Sequence, residues 1–186
     1  MAERNTWARA IHELGLGAWF GGSLMGAVGL NAAAKQASEP TERLQVANAG
    51  WARWTPVNAV GIAGYVGGGL VLMWGNKGRL AGQEGVAGAS MAKNVLTLVT
   101  LAATGYSRIL GQRLMEQEKV PVADGTTPLP DTPDDVRAIQ RQLKVLQYAI
   151  PAHVAGLIVI NAMMGEQQRA GQVAHGIARR LLPNAA

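Results

Sequence analysis

Three long stretches without a charged side chain constrain the fold more than any other feature of this sequence. They cover residues 14–34, 56–76 and 145–165, and His153 is the only titratable group of the third stretch apart from Tyr148. A helix that crosses a bilayer needs about 20 mostly apolar residues. The stretches therefore predict transmembrane helices at 14–34, 56–76 and 143–165.

A fourth, shorter stretch runs from Asn94 to Ser107, between Lys93 and Arg108. It is long enough to span a bilayer if both flanking side chains extend their charges to the interfaces, which predicts a span at 91–110. The fold class is then all-α, an integral membrane four-helix bundle with extramembrane helix extensions, in one domain of 1–186. The alternative is a soluble bundle, but three of its helices would lack any polar face.

Prolines divide the remaining sequence. Four of them make 119–133 an extended extramembrane loop, and Asp134 and Asp135, following Thr132 and Pro133, predict a helix start near Pro133. We expect Pro56 to break or kink the second helix. Tryptophans favour membrane interfaces, so Trp51 and Trp54 are predicted there.

Composition excludes several classes of function. The absence of cysteine excludes disulfide scaffolds, thiolate zinc sites and iron–sulfur clusters. No phosphate loop, metalloprotease motif or nucleophile elbow occurs, so we expect no enzyme activity and no cofactor. The net charge of +5 is scattered between the spans, which favours anionic lipid headgroups over nucleic acid as its counterpart.

The predicted location is the cell (plasma or inner) membrane, as a multi-pass protein. Four spans place both termini on one side of the membrane. That side carries eight Lys and Arg residues, and the other side carries nine. Although these counts do not settle the orientation, we expect the termini in the cytoplasm.

Glycine supplies 24 of the 186 residues, about twice its usual share. Helices associate in lipid through close packing, which small residues permit. The predicted packing positions, four residues apart in pairs, are Gly17, Gly21, Gly22, Gly26, Gly64 and Gly68. They predict close contact between the first two helices, or a face for another subunit.

Histidines and methionines suggest two further interpretations. Thioether and imidazole groups suit Cu(I), which predicts a metal site near the terminal side of the membrane. It comprises His12, Met73, Met163 and Met164, and His175 falls on the same side. His153 and Asn161 are predicted intramembrane polar groups, with His153 neutral and hydrogen-bonded. His12 and His153 lie at different depths, which argues against a haem held by both.

The segment His12-Glu13-Leu-Gly-Leu-Gly-Ala-Trp19-Phe-Gly21-Gly22 resembles the first helix of small multi-pass proteins of the copper-resistance D type. In those proteins a histidine precedes a glycine, a tryptophan and paired glycines. The four-helix plan is also similar to the DoxX group. These resemblances imply a membrane helix bundle and do not indicate an activity.

The absence of Asp and Glu from the spans argues against a proton- or sodium-coupled transporter acting alone. The main hypothesis is therefore a non-catalytic accessory or assembly subunit of a larger membrane complex, in transport or respiration, with membrane lipid and other membrane subunits as partners. One alternative is a copper- or redox-handling protein. The other is a carrier component for lipid or another hydrophobic substrate, with a cavity between its helices.

Overall fold

The computed structural model describes residues 5–75, 86–117 and 119–166. Within those ranges it contains four long helices, namely α1 (Thr6–Met25), α2 (Pro40–Gly75), α3 (Val86–Met115) and α4 (Asp134–Glu166). Two short strands, β1 (Val122–Asp124) and β2 (Thr127–Pro128), pair antiparallel between α3 and α4. The predicted all-α class is confirmed, and the proline-rich loop contains this hairpin.

The chain after α1 stays helical but changes its winding. A π-helical segment, Gly26–Leu30, is followed by a short α-helical piece, Asn31–Ala33, and a 3-10 turn, Ala34–Gln36. The charge-free stretch 14–34 is therefore shared among several helical pieces. A π segment widens the helix locally, as is common at functional sites.

Two helices, α2 and α4, are long and apolar enough to cross a membrane, with mean hydropathies of 1.5 and 1.6 over their most apolar windows. α2 contains residues 56–75 of the predicted span 56–76, and α4 contains the predicted span 143–165. The other predicted spans, 14–34 and 91–110, do not reach this standard within the described residues. The first is divided by the π segment, and the second contains both Lys93 and Arg108.

Pro56 does not end α2, which continues through it over 36 residues. Of the predicted break or kink at Pro56, the break does not occur, and the kink stays a prediction. Proline lacks the backbone N–H that would donate to the carbonyl four residues earlier. Next to it, the Thr55 hydroxyl donates to the Trp51 carbonyl at 2.8 Å.

Glycines allow the backbones of α1 and α2 to meet. A Cβ added to Gly15 would overlap the Gly61 carbonyl and lie 2.6 Å from the backbone nitrogen of Tyr65. A Cβ added to Gly68 would lie 2.6 Å from the Ala8 carbonyl oxygen. Since backbone atoms cannot move aside as side chains can, these glycines set the separation of the two helices.

The predicted packing glycines fall into three groups. Gly64 and Gly68 face α1, while Gly22 and Gly26 make room for the rings of Trp54 and Trp51. Trp51 and Trp54, which were predicted at a membrane interface, are half-buried and pack against Gly26 of the π segment and Gly22 of α1, respectively. Gly17 and Gly21 face open space, since an added Cβ would meet nothing within 4 Å.

The four helices form an incomplete ring. The main contacts join α1 to α2, α1 to α4 and α3 to α4, whereas α2 and α3 touch only sparsely. One apolar cluster fills the middle of the bundle, comprising Leu16, Trp19, Tyr65, Ile150, Val154 and Leu157. A second lies beneath the hairpin, comprising Leu44, Leu110, Leu114, Val120, Val122, Val136 and Leu143.

Asp124 fixes the hairpin over one end of the bundle. Its carboxylate accepts the Thr126 N–H at 2.8 Å and lies 3.5 Å from Lys35 Nζ, and Gln140 donates to its backbone carbonyl. Burial acts to raise the pKa of Asp124, but hydrogen bonds from Thr126 and Thr127 and the Lys35 charge outweigh it. The pKa is therefore lower than usual, and the carboxylate remains charged at neutral pH.

We expect Gly15→Ala to destabilise the protein by about 1–3 kcal/mol, because the new methyl group pushes two backbones apart. Gly17→Ala is the matched control, since it lies two residues away on the same helix and faces open space. Thermal unfolding followed by circular dichroism in detergent compares the two. Equal midpoints for both variants would contradict the role of Gly15.

Candidate functional site

His12 lies buried where α1 meets α2, with 2% of its surface exposed. Its Nδ1 is 2.6 Å from the backbone carbonyl oxygen of Tyr65. The imidazole also stacks on the Tyr65 ring, with ring centroids 4.4 Å apart and planes 21° apart. Gly68 and Gly69 leave the space that the imidazole occupies.

The other ring nitrogen of His12 faces the remaining two helices. Nε2 lies 3.0 Å from Lys93 Nζ on α3 and 3.3 Å from Asn161 Nδ2 on α4. Because the Tyr65 carbonyl can only accept, Nδ1 carries the proton. In the neutral ring Nε2 then offers its lone pair to the two donors.

One imidazole thus connects all four described helices. We call this group, formed by His12, Tyr65, Lys93 and Asn161, the His12 cluster. Tyr65 extends it, since its hydroxyl lies 3.0 Å from the Thr97 hydroxyl and Lys93 Nζ lies 5.6 Å from its ring centroid. Within the described residues no carboxylate lies within ion-pair distance of Lys93.

A cleft of about 470 Å³ occupies the gap between α2 and α3. Trp19 separates it from the His12 cluster, and its indole N–H donates to the Thr104 hydroxyl at 3.3 Å. The walls near this end are apolar and include Ile62, Ala63, Val66 and Leu101.

The opposite end of the cleft, beneath the hairpin, has polar contacts beside apolar wall residues such as Leu114 and Leu143. Asn31 donates to the side-chain carbonyl of Gln147 and accepts the Trp51 indole N–H at 3.2 Å. Asn48 donates to the Leu114 carbonyl at 3.1 Å. Gly125 of the hairpin also lines the cleft.

Three polar side chains with few hydrogen-bond partners lie between the two ends of the cleft. Asn58 and Ser107 line the cleft and make no hydrogen bond to the described part of the chain, and the Asn58 Oδ1 atom is buried without a partner. Arg108 also lines the cleft, and its one contact there is a weak one, Nη1 to the Met115 sulfur at 3.8 Å. No described carboxylate pairs with Arg108.

The residues of the predicted metal site have different surroundings. Both nitrogens of His12 are in hydrogen-bonding distance of protein groups, whereas Met73 and Met163 are 46% and 60% exposed. Met164 is half-buried, and His175 lies outside the described residues. No group of three His, Asp or Glu side chains arranged for a metal occurs among the described residues, and the copper site stays a prediction.

The two predicted intramembrane polar residues differ in their bonding. Asn161 belongs to the His12 cluster, but His153 is half-buried and its Nδ1 has no partner in the described structure. The expected hydrogen bond of His153 is therefore absent at that nitrogen. The C-terminal segment after Glu166 and the connection at 76–85 lie outside the described residues.

Sequence reasoning had treated Lys93 and Arg108 only as charges at the ends of a short span. Both face inward, one to the His12 cluster and one to the cleft. A signal was present, since the uncharged stretch between these two residues, Asn94 to Ser107, is shorter than the other three. Tyr65 carried no such signal, because its role depends on its backbone carbonyl.

Comparisons with protein families, curated proteins and solved structures found no match to this chain. The likeness of its first helix to the copper-resistance D type stays a resemblance, and the function is argued from the geometry.

We expect His12→Phe to lower the thermal midpoint clearly, because phenylalanine keeps the stack on Tyr65 but leaves Lys93 and Asn161 without their acceptor. Each unsatisfied buried group costs about 1–3 kcal/mol. His153→Phe is the control, since it breaks no hydrogen bond at Nδ1.

A double-mutant cycle with Lys93→Met tests the contact itself. Removing the ammonium should cost less in the His12→Phe background than in the natural protein, with a coupling of about 0.5–3 kcal/mol. Strictly additive effects would contradict the contact.

Proposed function

We propose that this chain is an integral membrane protein that binds a hydrophobic, lipid-like ligand in the cleft between α2 and α3, as a carrier component. The cleft is the observation that carries this proposal. Its volume falls within the range of about 300–1,000 Å³ that is usual for small-molecule sites, and its walls are mostly apolar with a few polar groups.

Exposed apolar side chains support the membrane location. Only 11% of the most apolar window of α2 is buried inside the protein. Large apolar residues also lie exposed on α3, including Val95, Leu98 and Val99. Water would disfavour so much apolar surface, while lipid tails would cover it. A soluble core helix would instead be mostly buried.

In this proposal all four helices cross the membrane, α1 with its π-helical continuation and α3 alongside α2 and α4. Both termini then lie on one side, which we assign to the cytoplasm. The gap between α2 and α3 faces the lipid, so a ligand can enter sideways without leaving the bilayer. The His12 cluster keeps the helices together below the cleft.

Filling the cleft tests the proposal. Gly105 lines the cleft, and an added Cβ meets nothing within 4 Å. Gly105→Leu should therefore occupy ligand space without disturbing the helices. Gly88→Leu, at an equally open glycine of α3 outside the cleft, is the matched control.

Tryptophan fluorescence provides the readout. Of the five tryptophans, Trp19, Trp51 and Trp54 line the cleft, whereas Trp7 and Trp74 are exposed. In a Trp7→Phe/Trp74→Phe background, bromine-labelled hexadecanol should quench the emission saturably. Gly105→Leu should lose at least about half of that quenching, and Gly88→Leu should lose none. Equal quenching in the two variants would count against a cleft ligand.

The open glycines of α1 favour a second candidate, the accessory subunit of a larger membrane complex. Gly17 and Gly21 lie four residues apart on an exposed face that nothing in the described structure covers. Such pairs let a second helix approach closely in lipid. The partner would be another membrane subunit packed against this face of α1.

Purification from native membranes in mild detergent tests this second candidate. A stoichiometric partner should accompany the natural protein and the Gly105→Leu variant, and be lost with Gly21→Leu, because leucine fills the contact face. A chain that runs alone in every case would rule the candidate out.

A further inference from the structure

The cleft contains an apolar region and, further along, a group of polar side chains. Val66 and Leu101 line the end near Trp19, whereas Asn58, Ser107 and Arg108 lie further towards the hairpin. Arg108 follows Leu101 by seven residues on the same helix, which corresponds to about 10 Å along its axis. A ligand that fits both regions is an amphiphile.

The charge of Arg108 determines the sign of the head group. Arg108 is half-buried and has no carboxylate partner among the described residues. Its charge favours an anionic group on the ligand, and a carboxylate can accept two parallel N–H bonds from a guanidinium. Ser107 and the Asn58 amide are neutral donors that line the same cleft.

The volume of the cleft limits the number of chains. A cleft of about 470 Å³ lies in the lower half of the usual range of about 300–1,000 Å³ for small-molecule sites. We take this as room for one acyl chain. A phospholipid would leave its second chain and glycerol backbone outside.

We propose that the cleft binds a long-chain carboxylate, with its head group on Arg108 and its chain directed towards Val66 and Leu101. This inference rests on the proposed function and specifies the ligand class of the same site. Trp51 and Trp54 also line the cleft, so their fluorescence reports on a ligand bound there.

The test compares three bromine-labelled probes that share a sixteen-carbon chain: palmitate, hexadecanol and hexadecyltrimethylammonium. Quenching is measured in the Trp7→Phe/Trp74→Phe background at about pH 9, well above the ordinary pKa of a carboxyl group. Palmitate should half-saturate at a concentration about tenfold lower than hexadecanol, as expected for one charge-assisted contact. The cationic probe should bind most weakly.

Arg108→Gln should abolish the preference for palmitate and leave hexadecanol binding unchanged. Arg108→Lys should keep part of the preference, because the charge remains while the bidentate geometry is lost. Arg113→Gln is the control, an exposed arginine of α3 outside the cleft, and should change neither probe.

Equal binding of palmitate and hexadecanol to the natural protein would overturn the carboxylate assignment. An equal loss of both probes in Arg108→Gln would also overturn it, by showing a structural role. In either case, saturable quenching by hexadecanol that Gly105→Leu removes would leave the proposed function standing. If no probe quenches saturably, the proposed function fails as well.

Discussion

The contact of α1 with α2 depends on the absence of side chains at a few positions. Gly15 and Gly68 bring backbone against backbone, which brings His12 close enough to reach the Tyr65 carbonyl. Without this approach the imidazole could not also reach α3 and α4. The close packing of one helix pair therefore determines where the four-helix connection forms.

The cleft follows from the same arrangement. Because α1 packs on α2 and α4, and α3 packs on α4, the ring stays open between α2 and α3. Polar contacts bound the opening at both ends, with Tyr65 and Thr97 at one and Asn48 and the Leu114 carbonyl at the other. Between these two polar contacts α2 and α3 remain apart, and the cleft lies in the gap.

Two inward-facing cations have different surroundings and therefore different uses. Lys93 has an acceptor in His12 and an aromatic face in Tyr65, so its charge is engaged within the protein. Arg108 has only a thioether contact among the described residues. A charge that the protein does not use internally is available to a ligand, which is the basis for assigning the cleft an anionic amphiphile.

The sequence by itself determined the all-α class, because charge-free stretches with helical length and few breakers permit little else. It also indicated that α2 and α4 suit a membrane, and that glycines concentrate in the first half. Only the tertiary structure decided which glycines pack. Gly15 and Gly17 look alike in sequence, but Gly15 packs against the backbone of α2 and Gly17 faces open space. The tertiary structure also decided that Lys93 and Arg108 point inward, because the direction of a side chain depends on which neighbours each helix face meets.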